Sequence, residues 1–177
     1  MVEMVIYGVS FDLVGKQPIV LLKTADGNRF LPIWIGHAEA AAILMRIQGA
    51  STPRPMTHDL LSDIIGKLDG EVVAVTVTEL RDNTFYASIT VQMNGSEIEV
   101  DSRPSDAIAL AVRSDAPIFA ADEVIEESAI EFEGEEGPPD NVSTMSQEQQ
   151  AQLKEQFKEF LENVTPDQFA AAEPEED

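Results

Sequence analysis

The sequence contains no cysteine among its 177 residues. Disulfide bonds, thiol nucleophiles and thiolate metal sites are therefore excluded. It also lacks any apolar run of the roughly 18 residues that a transmembrane helix needs. Its first residues carry an acid, Glu3, where a signal peptide would carry positive charge. We therefore expect an unprocessed cytoplasmic protein without a membrane partner.

Basic residues are also scarce. The chain holds 11 lysines and arginines against 33 acidic residues, which gives a net charge of −22. The charge is uneven, because residues 121–177 carry −16 and residues 1–120 only −6. A field of this sign repels nucleic acid at long range, and no basic stripe with interleaved aromatic residues is visible. Nucleic acid is a possible partner that the charge disfavours.

The hydrophobic pattern alternates between strand and helix periods over residues 1–130. It predicts one α+β domain with a mixed sheet. Three helices are expected near residues 38–48, 58–68 and 104–114. Hairpin turns are expected at Asp26-Gly27 and Asn94-Gly95, which have the residue types that tight turns favour.

Two stretches of this domain share an outline. Residues 19–46 and 85–113 each read as strand, turn, strand and helix. Aligning Arg46 with Arg113 places Glu39 opposite Asp106, each in the first turn of a helix. This pattern predicts an internal duplication. The alternative is a chance likeness, because acids favour helix N-termini in any protein.

The composition changes after residue 130. Residues 131–145 read as an acidic flexible linker, 146–164 as an amphipathic helix and 165–177 as an acidic disordered tail. We expect the helix to dock by its apolar stripe onto the domain or a neighbouring subunit. The stripe consists of Leu153, Phe157, Phe160 and Leu161. The acids of this extension would weaken nucleic-acid binding, or serve only solubility.

Two arginines stand at predicted helix starts. Arg54 and Arg103 each directly precede a proline, and a residue before proline is held extended. Each side chain would lie beside a helix N-terminus, where free amides favour anions. We expect the two arginines to share one pocket for a phosphate or carboxylate. The alternative is that each pairs with a local aspartate and anchors a loop.

Four carboxylates fall near helix starts or strand ends, namely Glu39, Asp59, Asp101 and Asp106. Hard divalent metals prefer such oxygens, and metal-assisted phosphodiester hydrolysis uses them. Their spacing matches no named metal motif, and helix capping explains each acid singly.

His58 could act as a general base or as a hydrogen-bonded structural histidine. Asp59 is not its partner by adjacency, since neighbours on a helix point about 100° apart. His37 is a weaker candidate for a functional histidine. Trp34 lies in a hydrophobic strand, and we interpret it as a core residue.

Several motifs, taken in order, resemble the bifunctional nuclease family over about residues 2–128. They are Leu31-Pro32-Ile33-Trp34-Ile35-Gly36, Arg54-Pro55-Met56-Thr57-His58-Asp59, Thr84-Phe85-Tyr86-Ala87, Asp101-Ser102-Arg103-Pro104-Ser105-Asp106 and Pro117-Ile118-Phe119. The resemblance implies an α+β domain that associates with itself as a homo-oligomer. It also implies a nuclease that acts on DNA and RNA.

The resemblance also implies roles for the residues of these motifs. The expected catalytic residues are His58, Asp59, Asp106 and Glu39. Substrate binding is expected from Arg54, Arg103 and Ser105. Asp101 and Asp106 are the expected ligands of a divalent cation such as magnesium or manganese. A non-catalytic anion-binding or regulatory module is the alternative, which the acidic charge balance favours.

Overall fold

Strands and helices alternate along most of the chain. The computed structural model describes residues 1–11 and 17–131. Their elements, in chain order, are β1 (Val2–Phe11), β2 (Pro18–Thr24), β3 (Arg29–Trp34), α1 (His37–Ile47), α2 (Thr57–Lys67), β4 (Gly70–Arg81), β5 (Thr84–Met93), β6 (Ser96–Ser102), α3 (Pro104–Ser114), β7 (Ile118–Ala120), α4 (Asp122–Ser128) and β8 (Ile130–Glu131). The α+β class is confirmed.

The strands of the described residues form one eight-stranded sheet in the order β6-β5-β4-β7-β1-β2-β3-β8. The pair β4–β7 is parallel and the other pairs are antiparallel. The sheet is therefore mixed, as predicted. Both strand–turn–strand–helix units are present, the first as β2-β3-α1 and the second as β5-β6-α3.

Irregular pairing bends this sheet. The register shifts in β1 between Ile6 and Gly8, and twice in β4, between Val72 and Ala74 and after Val77. Such bulges bend a strand and increase its twist. The strands β3 and β5 are separated by four others, which would place them about 24 Å apart in a flat sheet. They nevertheless line one cleft, described below.

Helix α3 is the most deeply buried of the described helices. Its residues Ala107 to Ala111 are each at most 1% exposed, which agrees with their unbroken apolar run in the sequence. The helix contacts α1, α2, β4 and β5. Because α3 lies at the centre of the helical layer, the side chains of its first turn can reach both neighbouring helices.

The helix bounds agree with the sequence prediction to within one residue, but the described residues hold a fourth helix. This is α4, seven residues long and rich in acids. It is too short to show a helical period, so the sequence did not reveal it. Its Val124 and Ile125 are buried. No helix of the described ranges is long and apolar enough to span a membrane.

The predicted linker begins at Glu131, which the structure instead places at the end of β8. The rest of the linker, the amphipathic helix and the acidic tail lie outside the described residues, so what the sequence predicts for them stays a prediction.

Helix α2 leaves an apolar stripe open to solvent. Leu60, Ile64 and Leu68 follow at intervals of four residues and are 52%, 45% and 61% exposed, and Leu61 lies beside them. Side chains at this spacing share one face of a helix. A contiguous exposed apolar face marks an interaction surface. This stripe is where we expect the predicted homo-oligomer to form, with a second copy of the chain.

Replacing Leu60 and Ile64 together by glutamate should convert the assembly to a monomer, because charge on the stripe opposes its burial. Light scattering at micromolar concentration measures the mass. Lys67→Gln is the control, since it also makes α2 more negative but removes no apolar side chain. A monomeric mass for the unchanged chain, or an unchanged mass for the double variant, would contradict the prediction.

Candidate functional site

The first turns of three helices meet at one place. Glu39 lies in the first turn of α1, His58 in that of α2 and Asp106 in that of α3. Arg103 is the N-cap of α3, held extended at φ −70° and ψ 144° before Pro104. The restriction that proline imposes on the preceding residue holds this arginine at the start of α3, within hydrogen-bond distance of Glu39 and Asp106.

One carboxylate links these side chains. Asp106 Oδ1 lies 3.0 Å from His58 Nε2. Its Oδ2 accepts a hydrogen bond of 2.6 Å from Arg103 Nε. Arg103 NH2 then donates to Glu39 Oε1 at 2.8 Å. We call His58, Asp106, Arg103 and Glu39 the Asp106 network. It joins Glu39 and Asp106, the two acids that the alignment of the repeated units placed opposite each other.

Opposing effects act on the Asp106 carboxyl. Its partial burial disfavours the charged form, but the hydrogen bonds from Arg103 and His58 outweigh that effect, so the pKa of Asp106 lies below its ordinary value. The acid therefore stays ionised. The hydrogen bond to Asp106 is also the main cause of a raised pKa at Arg103, so the guanidinium stays charged.

His58 has the geometry of an oriented base. Its side chain is only 11% exposed, and an ionised Asp106 can only accept a hydrogen bond. We therefore assign the imidazole proton to Nε2, which leaves the lone pair on Nδ1. No described residue donates to Nδ1. The partner of His58 lies 48 positions away on another helix, in agreement with the exclusion of Asp59 by adjacency.

Asp59 belongs to a second cluster. Its Oδ1 accepts from Arg113 Nε at 2.5 Å, and Oδ2 accepts from the backbone amide of Met56 at 2.8 Å. The backbone hydrogen bond is the largest influence on Asp59, and together with Arg113 it lowers the pKa of this carboxyl. Arg113, 5% exposed, also donates to the carbonyls of Ala109 and Ala42. This cluster ties α2 to α3 and α1.

Sequence reasoning missed Arg113 as a site residue. The available signal was the alignment of the two units, in which Arg113 is the counterpart of Arg46. The two positions differ in the structure, since Arg46 is exposed and donates from Nε only to the carbonyl of Val112. Both arginines line a cleft of about 340 Å³ with Asp59 and Asp63.

Arg54 lies apart from both clusters. It is exposed, it makes no side-chain hydrogen bond or ion pair within the described ranges, and it lines neither described cleft. The expectation that Arg54 and Arg103 share one pocket is therefore not met. The reason is positional: Arg103 is itself the N-cap of α3, whereas Arg54 precedes Met56, the N-cap of α2, by two residues.

The two expected metal ligands, Asp101 and Asp106, are not brought together. Asp101 is exposed on β6, opposite Ser88 of β5. Both oxygens of Asp106 already accept from nitrogen donors, and no group of three or more possible ligands occurs within residues 1–11 and 17–131. The donor set of the described residues therefore does not fit magnesium or manganese.

A cleft of about 370 Å³ opens beside Arg103. Its lining includes Gln17, Trp34, Asn83, Phe85, Arg103 and Ser105. We call it the Arg103 cleft. It lies between the two repeated units, because Trp34 ends β3 and Phe85 lies on β5. Trp34 is partly exposed here rather than a fully buried core residue.

Comparison with known proteins agrees with this arrangement of motifs. The bifunctional nuclease domain family matches residues 20–133. The chain belongs to this family. The match contains every member of the Asp106 network, the whole second strand–turn–strand–helix unit and the first unit except Pro18 and Ile19.

Relatives of two kinds share the domain. An uncharacterized protein of Mycobacterium tuberculosis is 39% identical over 169 residues, which cover 96% of this chain and 98% of that protein. Bifunctional nuclease 1 of Arabidopsis thaliana is 30% identical over 108 residues, 59% of this chain and 33% of that protein. Bifunctional nuclease 2 of Oryza sativa subsp. japonica is 29% identical over the same length. The alignments thus span about a third of the length of these plant relatives, whereas the mycobacterial alignment covers 96% of this chain and so continues into the acidic C-terminal residues.

Replacing Arg113 by methionine should lower the free energy of unfolding by about 2 to 3 kcal/mol, because a buried guanidinium with three acceptors is lost. Arg46→Met, the matched change in the other unit, should cost about 1 kcal/mol or less, since that side chain is exposed. Urea unfolding measures both. Equal losses would show that Arg113 does not hold the helices together.

Replacing Asp106 by asparagine should make the fold less sensitive to acid. The free energy of unfolding of the variant should fall less than that of the unchanged chain when the pH is lowered. A carboxyl with a lowered pKa stabilises the fold above its unfolded pKa, about 3.9, and this contribution disappears as the pH falls through the folded value. Unfolding curves from neutral pH down to about pH 2 test this. The unchanged chain should lose more stability below about pH 4 than the variant. Asp101→Asn, on the exposed edge strand, should follow the unchanged chain, and identical curves for all three would contradict the prediction.

Proposed function

We propose that the chain hydrolyses phosphodiester bonds of nucleic acids at the Asp106 network. One observation carries the proposal: the buried imidazole of His58 is bound through Nε2 to the Asp106 carboxylate, 3.0 Å away. This arrangement leaves Nδ1 as an oriented base. The family membership supports the substrate class, because the plant relatives are named bifunctional nucleases.

The first step removes a proton from water. His58 Nδ1 accepts the proton, and Asp106 stabilises the imidazolium that forms. The resulting hydroxide attacks phosphorus, the ester P–O bond breaks, and the leaving oxygen takes the proton back from the imidazolium. A phosphate monoester and a free hydroxyl remain, and His58 is again neutral.

Arg103 is suited to hold the phosphate. Its side chain is 68% exposed, and its two hydrogen bonds to carboxylates use Nε and NH2. NH1 therefore remains available to donate to a non-bridging phosphate oxygen. Asp106 and Glu39 fix the plane of the guanidinium, so that binding a phosphate costs little side-chain entropy.

The same contacts limit affinity. Two carboxylates accompany the one guanidinium, on a chain of net charge −22. We therefore expect weak substrate binding and slow hydrolysis.

A non-catalytic anion-binding or regulatory module is the second candidate. The exposed guanidinium of Arg103 beside the N-terminus of α3 favours it, because a small anion needs these donors and does not need a base. His58 separates the two candidates, since only hydrolysis requires its Nδ1.

Replacing His58 by glutamine should lower the hydrolysis rate by roughly 10²- to 10⁴-fold, the usual contribution of a general base. The assay uses single- and double-stranded DNA and RNA. His37→Gln, which changes the other histidine of the chain, should retain the rate of the unchanged protein.

Arg103→Ala should lose both hydrolysis and phosphate binding. Equal rates for the His58 variant and the unchanged chain would contradict the proposal and indicate a contaminating nuclease. Phosphate binding that depends on Arg103, without hydrolysis, would establish the second candidate. A parallel assay with a chelator tests the predicted dependence on magnesium or manganese, which stays a prediction.

A further inference from the structure

The Arg103 cleft contains features that phosphate hydrolysis does not use. Two aromatic side chains, Trp34 and Phe85, line it and are partly exposed. They come from different units of the domain, and the bulged sheet brings their strands to one cleft. Aromatic side chains left accessible in a concave site, instead of buried in the core, indicate a ligand with a flat apolar face.

We propose that the Arg103 cleft binds one unpaired nucleobase of the substrate, next to the phosphate that Arg103 holds. This inference rests on the proposed nuclease function and gives it a substrate class, single-stranded nucleic acid. The volume of about 370 Å³ lies near the lower end of the range of about 300 to 1,000 Å³ for ligand sites. It suits a single base with its sugar rather than a duplex.

Polar groups of the cleft can read the edge of a base. Ser105 is 6% exposed and lines the cleft, and its hydroxyl can both donate a hydrogen bond to a base edge and accept one from it. The side-chain amides of Gln17 and Asn83 also line the cleft. Each amide offers both a donor and an acceptor, as the edges of nucleobases require.

The position of Arg103 connects the base to the reaction. Arg103 lines the cleft and also bonds to Asp106, which holds His58. A base in the cleft therefore places its own phosphate beside the guanidinium. In a duplex the bases are stacked and paired, and removing one from the stack costs free energy. A single strand does not meet this cost in full, so the cleft selects unpaired nucleic acid.

The chain contains one tryptophan, Trp34, so its fluorescence reports on this cleft directly. The experiment titrates the full chain carrying His58→Gln, which prevents hydrolysis, at low ionic strength. The probes are a single-stranded DNA of eight adenine nucleotides, an abasic octamer with the same number of phosphates, and a hairpin duplex. The adenine octamer should quench Trp34 and bind roughly ten- to a hundredfold more tightly than the abasic octamer. The hairpin duplex should bind no better than the abasic octamer.

Two variants of neighbouring aromatic residues complete the test. Phe85→Leu, which keeps an apolar side chain but removes the ring, should lose most of the preference for bases. Tyr86→Leu is the matched control, because Tyr86 does not line the cleft, and it should keep the preference. The adenine and abasic octamers are compared on a chain whose cleft is unaltered. This comparison therefore tests the base site even if Phe85→Leu does not fold.

Equal affinity for the adenine and abasic octamers, or tighter binding of the duplex, would overturn the base site. If the unchanged chain still hydrolyses nucleic acid in that case, the proposed nuclease function holds and only the base site is wrong. Base-dependent binding without any hydrolysis by the unchanged chain would instead overturn the nuclease and leave a single-strand binding module.

Discussion

The hydrogen bonds to Asp106 connect the first turns of three helices. One oxygen faces the imidazole of His58 on α2 and the other faces the guanidinium of Arg103, which also reaches Glu39 on α1. Partial burial of a carboxylate is unfavourable unless donors compensate it, and the two nitrogen donors do so. Because each oxygen has its own donor, the carboxylate fixes the orientation of a base and of a cation at once. The proposed chemistry depends on one carboxylate orienting both the His58 base and the Arg103 cation.

The sheet determines what lies next to that carboxylate. Bulges in β1 and β4 increase the twist, and strands separated by four others come to line one cleft. The cleft lies between the two repeated units, beside the only arginine of the Asp106 network. Helix α3 provides the connection, since its N-cap Arg103 lines the cleft while its first turn carries Asp106. The buried run from Ala107 to Ala111 holds this helix in place.

Local sequence signals predicted the elements and some parts of the site. The Pro104 motif placed Arg103 extended at a helix start, and the repeated outline placed Glu39 and Asp106 at corresponding positions. The exclusion of an adjacent His58–Asp59 pair agrees with the structure. Each of these inferences depends on the backbone within a few residues, where propensities and side-chain directions are well defined.

The remaining features depend on how helices cross. The meeting of His58 with Asp106, and of Asp59 with Arg113, follows from the packing of α2 on α3, which no short-range pattern specifies. Arg54 and Arg103 looked equivalent because both precede proline, but a difference of two residues relative to the N-cap separates their environments. Helix α4 was missed because seven residues do not establish a period.

In the proposed mechanism His58 and Asp106 act as one unit, the acid orienting the base. A double-mutant cycle of single-turnover hydrolysis tests it, with His58→Gln, Asp106→Asn and the two combined. If Asp106 acts mainly by orienting the base, Asp106→Asn should slow the His58 variant far less than it slows the unchanged chain, and the residual loss reflects its hydrogen bond to Arg103. Losses that multiply, so that Asp106→Asn slows the His58 variant as much as it slows the unchanged chain, would contradict the account.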